Sequence, residues 1–259
     1  MPRRNAPGSR SARRAPLLAT RRIAVGLVLA LLGVALFCAL GAWQLQRADE
    51  KRALQAVYDR RTAQLPILLT STVLPAEALQ YFRVEASGFY ERGYQLLLDN
   101  RAHHGVPGFE VVTPLRIAGS DARVLVNRGW VPLGADRTRP PVVDPPAERV
   151  VVRGVAVIPR VGFQLGAPDP LRREGATVWQ QLDLARYVAE TRFKLQPIVI
   201  LLDPQSPAGG YTREWGRLDA GIAVHQSYAL QWFALAAAVV ISYGVWAVRR
   251  VRRGRGGVA

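Results

Sequence analysis

The sequence predicts an integral membrane protein: two transmembrane α-helices flank one β-rich, α+β extracytoplasmic domain, built as an antiparallel sheet or a partly closed barrel. Three observations predict it. Two uncharged apolar runs frame the chain, the basic excess lies outside them, and the middle alternates in strand-length segments. The implied organisation is a basic cytoplasmic tail (1–22), a first span (23–45), the domain (46–224), a second span (225–248) and a second basic tail (249–259).

The apolar runs are Ile23–Trp43 and Tyr228–Val248, each 21 residues long. As helices they measure roughly 31 Å, about one hydrocarbon thickness. Neither has a polar face apart from Gln231 and Ser242. The first run exceeds the apolar stretch of a cleavable signal, about 7–15 residues.

A net charge of +16 suggests a nucleic-acid binder until the charges are sorted by segment. Residues 1–22 carry seven Arg and 249–259 five, with no acid in either. Residues 48–224 hold 22 basic and 19 acidic residues, close to balance. The excess therefore flanks the spans on the side away from the domain. That is the positive-inside pattern, with both termini cytoplasmic and no nucleic-acid partner. The arginines also suit anionic lipid, with the same topology. An acid-free, Arg-rich start resembles a mitochondrial presequence too. Only 22 residues precede the span, which favours a multi-pass protein of a bacterial plasma membrane.

Sulfur is scarce. Cys38 is the only cysteine, within the first run, and Met1 the only methionine. The domain thus has no disulfide and no thiolate metal site, and copper carriage by soft sulfur ligands is excluded.

The segment after the first run, to about Gln64, continues as an amphipathic helix that Pro66 stops. A short turn or helix over Pro75–Leu79 follows. Seven strands are then expected at 81–91, 94–100, 109–117, 122–130, 148–158, 178–182 and 197–203. Gly119-Ser120-Asp121 supplies a hairpin turn, and Asp183 caps a small helix, LARYVAE. Residues 131–147 contain five prolines and read as a loop. Trp130 ends a strand rich in Val and Leu, so its indole is expected inside the β core.

No catalytic motif is present: no phosphate-binding loop, G-x-S-x-G or H-E-x-x-H, so the chain reads as a non-enzyme. His103 and His104 lie in a loop, as surface residues or a partner contact. Adjacent histidines are not expected to face one metal from regular structure. Arg101 and Arg128, at strand ends, suit either a carboxylate ligand or an intradomain salt bridge. His225, Tyr228 and Trp232 share one helical face at the outer mouth of the second span. Trp43, Gln44 and Arg47 leave the first span at the same depth. An aromatic belt with a polar histidine is one reading. The other is a haem site: His225 as iron ligand, Tyr228, Trp232 and Trp43 against the macrocycle, and Arg47 for a propionate.

Five ordered pieces of the chain resemble the Surfeit-locus-one family of cytochrome c oxidase assembly proteins. They are GAWQLQR at 41–47; LLLDNR at 96–101 with GVPG at 105–108; VVTPL at 111–115; VLVNRGWVP at 124–132; and His225, Tyr228-Ala229 and Gln231-Trp232-Phe233. The resemblance runs from Leu40 to Trp246. It implies an assembly factor for haem–copper oxidase that binds haem a as cargo and assists its insertion into the catalytic subunit. His225 corresponds to the family's reported haem ligand. The implied partners are oxidase subunit I and other assembly factors. The alternative is a membrane scaffold that stabilises subunit I without ligating haem.

Overall fold

The computed structural model describes residues 14–134, 139–162, 166, 170–172, 175–215 and 221–255. Most of the first basic tail, the end of the second, part of the proline loop and residues 216–220 lie outside them. The chain divides into two compact units, Met1–Leu54 with Leu218–Ala259, and Gln55–Arg217.

The first unit is a helix pair. Helix α1 (Arg14–Thr62) has 49 residues and continues without a break from the apolar run into the amphipathic one. Its partner, α4 (Ile222–Arg255), has 34. Both are long and apolar enough to cross a membrane. Their contacts run antiparallel. The Tyr243 hydroxyl donates to the Ile23 carbonyl at 3.0 Å. Phe37 stacks on Trp232, with centroids 5.8 Å apart. Gly41 lies beneath Phe233, where an added Cβ would come 2.7 Å from the ring. A larger residue there would displace the Phe233 ring, and Ala229 and Ala236 are buried on the same side of α4.

The second unit is built on an eight-stranded sheet: β1 (Ile67–Leu68), β2 (Arg83–Tyr90), β3 (Gln95–His103), β4 (Val106–Ile117), β5 (Ala122–Pro132), β6 (Val150–Val157), β7 (Ala176–Trp179) and β8 (Lys194–Leu202). The short helices are α2 (Ala76–Leu79) and α3 (Leu184–Thr191). The sheet order is β1-β2-β6-β8-β5-β4-β3-β7, and β2 pairs β4 as well. That pairing closes β2, β6, β8, β5 and β4 into a five-stranded barrel. Of the two predicted architectures the barrel therefore forms. It is not wholly antiparallel: β1–β2, β3–β7 and β5–β8 pair in parallel. The long β5–β8 connection carries β6, β7 and α3, which allows the parallel return.

Inside the barrel pack Val84, Ala86, Leu115, Val124, Val126, Val152, Ile198 and Ile200. Outside it, Leu96, Leu98, Leu125 and Val199 meet Trp179 and Tyr187. Asp183 caps α3 as expected, accepting from the Arg186 N–H at 3.1 Å. Leu97 points the other way, to Phe109 and Val111. Burial on both faces explains the unbroken apolar run Leu96-Leu97-Leu98 in β3.

Trp130 corrects the sequence expectation. From Glu110 to Val112 on β4, the partners on β5 run from Trp130 to Asn127. The extra residue is a bulge at Arg128-Gly129, with Gly129 at φ +116°. It turns Trp130 out of the core. The indole is half-buried, and its N–H donates to the Arg101 carbonyl at 3.0 Å. The fully buried tryptophan is Trp179.

The bulge buries Arg128 instead, at 1% exposure. Its guanidinium donates to the carbonyls of Gly209 (2.7 Å), Asp144 (3.1 Å) and Val143 (3.4 Å), between the rings of Tyr90 and Tyr211. Burial pulls it below the usual arginine range, and Tyr211 and Tyr90 oppose that. The partners are three backbone carbonyls and the Thr113 hydroxyl, at 3.4 Å, neither a carboxylate ligand nor a salt bridge. Arg101 does follow the salt-bridge reading, 3.6 Å from Glu110. Arg128 thereby straps residues 203–215 along β5, where Tyr211 N–H donates to the Arg128 carbonyl at 2.7 Å.

Trp179→Ala should cost about 3–5 kcal/mol, but Trp130→Ala only about 1–2 kcal/mol, in thermal unfolding of the detergent-solubilised chain. Arg128→Met should cost about 3 kcal/mol or more, since it leaves buried carbonyls without donors. Equal losses for the two tryptophans would contradict the bulge.

Candidate functional site

The helix pair brings His225 to Gln44. His225 Nδ1 lies 2.7 Å from Gln44 Oε1, and the imidazole is half-buried. A carbonyl oxygen accepts, so Nδ1 carries the proton. Nε2 then keeps its lone pair. A ligating histidine is ordinarily fixed in this way: one nitrogen is held by an acceptor and the other offered to the metal. The first turn of α4 helps, with His225 N–H donating to the Gly221 carbonyl at 3.1 Å.

The predicted site residues divide into two groups. His225 and Trp232 both face α1, through Gln44 and Phe37 respectively. Trp232 is thus occupied by a ring of the neighbouring helix. Tyr228 and Trp43 are about half exposed, at 48% and 52%. Arg47 is exposed and already pairs with Glu50 at 2.6 Å, so it is a shared cation. Gln44 lies nearly one turn before Arg47. Its signal in the sequence was a polar amide at the very end of an apolar run.

The arrangement fits haem as far as these residues can test it. It offers one oriented imidazole nitrogen, exposed aromatic surface on Tyr228 and Trp43, and an exposed arginine in the same two helical turns.

A second cluster lies in the domain. The β3–β4 hairpin turns through His104 (φ +48°) and Gly105 (φ +79°). Two positive φ values are what a two-residue hairpin loop requires. His103 ends β3 rather than lying in the loop, and the left-handed backbone at His104 takes that residue out of regular structure, so the two rings can approach. Their rings lie 4.3 Å apart, and both Nε2 atoms face Glu214 Oε2, at 3.7 Å from His103 and 3.0 Å from His104. Glu214 is 110 residues away in sequence and carries no motif, so it could not be paired with the histidines beforehand.

Comparison with known proteins agrees with the family resemblance. The family model described as the SURF1 family matches residues 31–237. An uncharacterised SURF1-like protein of Mycobacterium bovis is 30% identical over 245 residues, covering 89% of this chain and 86% of the relative. A SURF1-like protein of Drosophila melanogaster is 27% identical, covering 82% and 74%. Surfeit locus protein 1 of Xenopus tropicalis is 26% identical, covering 87% and 76%. The matched span takes in α1 from Leu31, the whole barrel and the first half of α4, including Gln44 and His225. On that coverage the chain belongs to the SURF1 family.

Proposed function

We propose that this protein is an assembly factor for haem–copper oxidase that binds haem a through His225 Nε2 and assists its transfer into the catalytic subunit. The observation that carries the reading is the 2.7 Å contact between His225 Nδ1 and Gln44 Oε1. It fixes the tautomer an iron ligand needs. The family resemblance supplies the oxidase and the cargo. Ferric or ferrous haem contributes an iron with an open axial position, and every other part of binding falls to this chain.

Each residue has a defined task. Gln44 orients the imidazole. Tyr228 and Trp43 offer aromatic faces to the macrocycle. Arg47, with its charge partly answered by Glu50, meets a propionate at the solvent side. Trp232 packs against Phe37 and holds the helices in register rather than touching cargo. No reaction is catalysed. Haem is held by one imidazole and later released.

The helices span a bacterial plasma membrane with both termini in the cytoplasm and residues 46–224 outside. The arginine-rich ends support this orientation. Oxidase subunit I and other assembly factors are the partners.

Alkaline phosphatase inserted within 131–147 should be active in a bacterial host, and inactive when fused at residue 259. The reverse pattern would sink the topology. For the site, His225→Ala should accumulate normally, lose the Soret band and reduce oxidase assembly. Gln44→Leu should weaken haem binding about 10-fold or more, the range for a removed orienting group. His104→Ala should leave the spectrum unchanged. Full haem retention in His225→Ala would refute the site. Normal oxidase assembly by that variant would leave the scaffold role standing instead.

A further inference from the structure

The His103, His104 and Glu214 cluster is not used by the haem reading, and its chemistry is specific. The three offer two imidazole nitrogens and one carboxylate oxygen, all within 4.8 Å of one another. We propose that they form a binding site for a divalent first-row transition metal, with Zn²⁺ as the probe of choice. Ligand atoms around tetrahedral zinc lie roughly 3.3 Å apart, given bonds of about 2.0–2.1 Å. The observed separations from Glu214 Oε2 bracket that value, 3.0 Å to His104 Nε2 and 3.7 Å to His103 Nε2. All three ligand atoms lie within 4.8 Å of one another, so closing the site takes rotation of the histidine side chains.

The donor set also discriminates. Ca²⁺ takes six to eight oxygens and Mg²⁺ an oxygen octahedron, which two imidazoles cannot supply. Cu⁺ prefers sulfur, absent from this part of the chain. Zn²⁺ and Cu²⁺ accept nitrogen with carboxylate. Three protein ligands leave the remaining coordination position to solvent, as at an exchangeable site.

The backbone on both sides is fixed. His104 is held by the hairpin loop, and His103 pairs with Val106 across it. The Trp130 ring packs on His103 with centroids 5.1 Å apart. On the other side, Glu214 lies between anchored neighbours. Thr212 exchanges two backbone hydrogen bonds with Trp130, at 2.7 and 3.2 Å. Arg213 donates to the Asp203 and Ser206 carbonyls, both at 2.8 Å. The Trp215 indole donates to the Leu202 carbonyl at 2.9 Å. The carboxylate is thus presented to the histidines by a braced segment.

The test is calorimetric titration of ZnCl₂ into the full-length, detergent-solubilised protein, purified without a polyhistidine tag. One equivalent should bind saturably. His104→Ala and Glu214→Gln should each lower the association constant at least tenfold, with haem binding unchanged. Cu²⁺, which quenches nearby tryptophan, should dim the wild-type emission at one equivalent. Trp130→Phe should remove most of that dimming. Absence of a one-equivalent transition would show a histidine–carboxylate ion pair only and overturn the proposal. Equal affinity in His104→Ala and Glu214→Gln would overturn it as well.

Discussion

The domain depends on one closure, the pairing of β2 with the second half of β4. Strand β4 has β5 along one whole edge. Its other edge serves two partners, β3 over Val106–Val112 and β2 over Leu115–Ile117. Only a close approach makes that possible. An added Cβ on Gly88 would lie 2.0 Å from the Arg116 carbonyl oxygen, so that position admits no side chain. Gly154 stands in the same relation to the Leu201 oxygen, across the β6–β8 seam. With the barrel shut, the first half of β4 projects with β3 as a hairpin, and its tip holds His103 and His104. The bulge in β5 then buries Arg128, which anchors the returning segment that carries Glu214.

A different constraint governs the helix pair. Small residues and a few hydrogen bonds set the register of this apolar pair. Gly41 admits the Phe233 ring, Tyr243 reaches the Ile23 carbonyl, and His225 meets Gln44. These contacts fix which nitrogen of His225 is available. Function, on this account, is a consequence of helix register.

Much of the fold was legible because its signals are local. Alternation marked the strands, Asp183 marked the start of α3, and Gly119-Ser120-Asp121 turned β4 into β5. The misses were non-local. The parallel β5–β8 pairing joins segments separated by about 70 residues, and no local pattern fixes such a partner. Trp130 was misjudged because a Val- and Leu-rich strand gives its period only until a bulge, and Gly129 in VNRGW has no alternation to betray the shift. At the candidate site, helical spacing put His225, Tyr228 and Trp232 on one face, whereas Trp232 packs on Phe37 and Tyr228 is half exposed. Gln44 was visible only as company, because its role depends on a second helix. Glu214 was invisible, since a lone glutamate gains meaning only from the hairpin it meets.

The central claim is that His225 supplies the iron ligand. Histidine labelled with ¹⁵N offers the most direct measurement, because the chain has only three. Ferric haem bound to the labelled protein should show a ¹⁵N hyperfine coupling from one imidazole in electron–nuclear double resonance. The coupling should persist in the His103→Ala, His104→Ala double variant and vanish in His225→Ala. Haem bound without any histidine ¹⁵N coupling, or a coupling that survives in His225→Ala, would contradict the account.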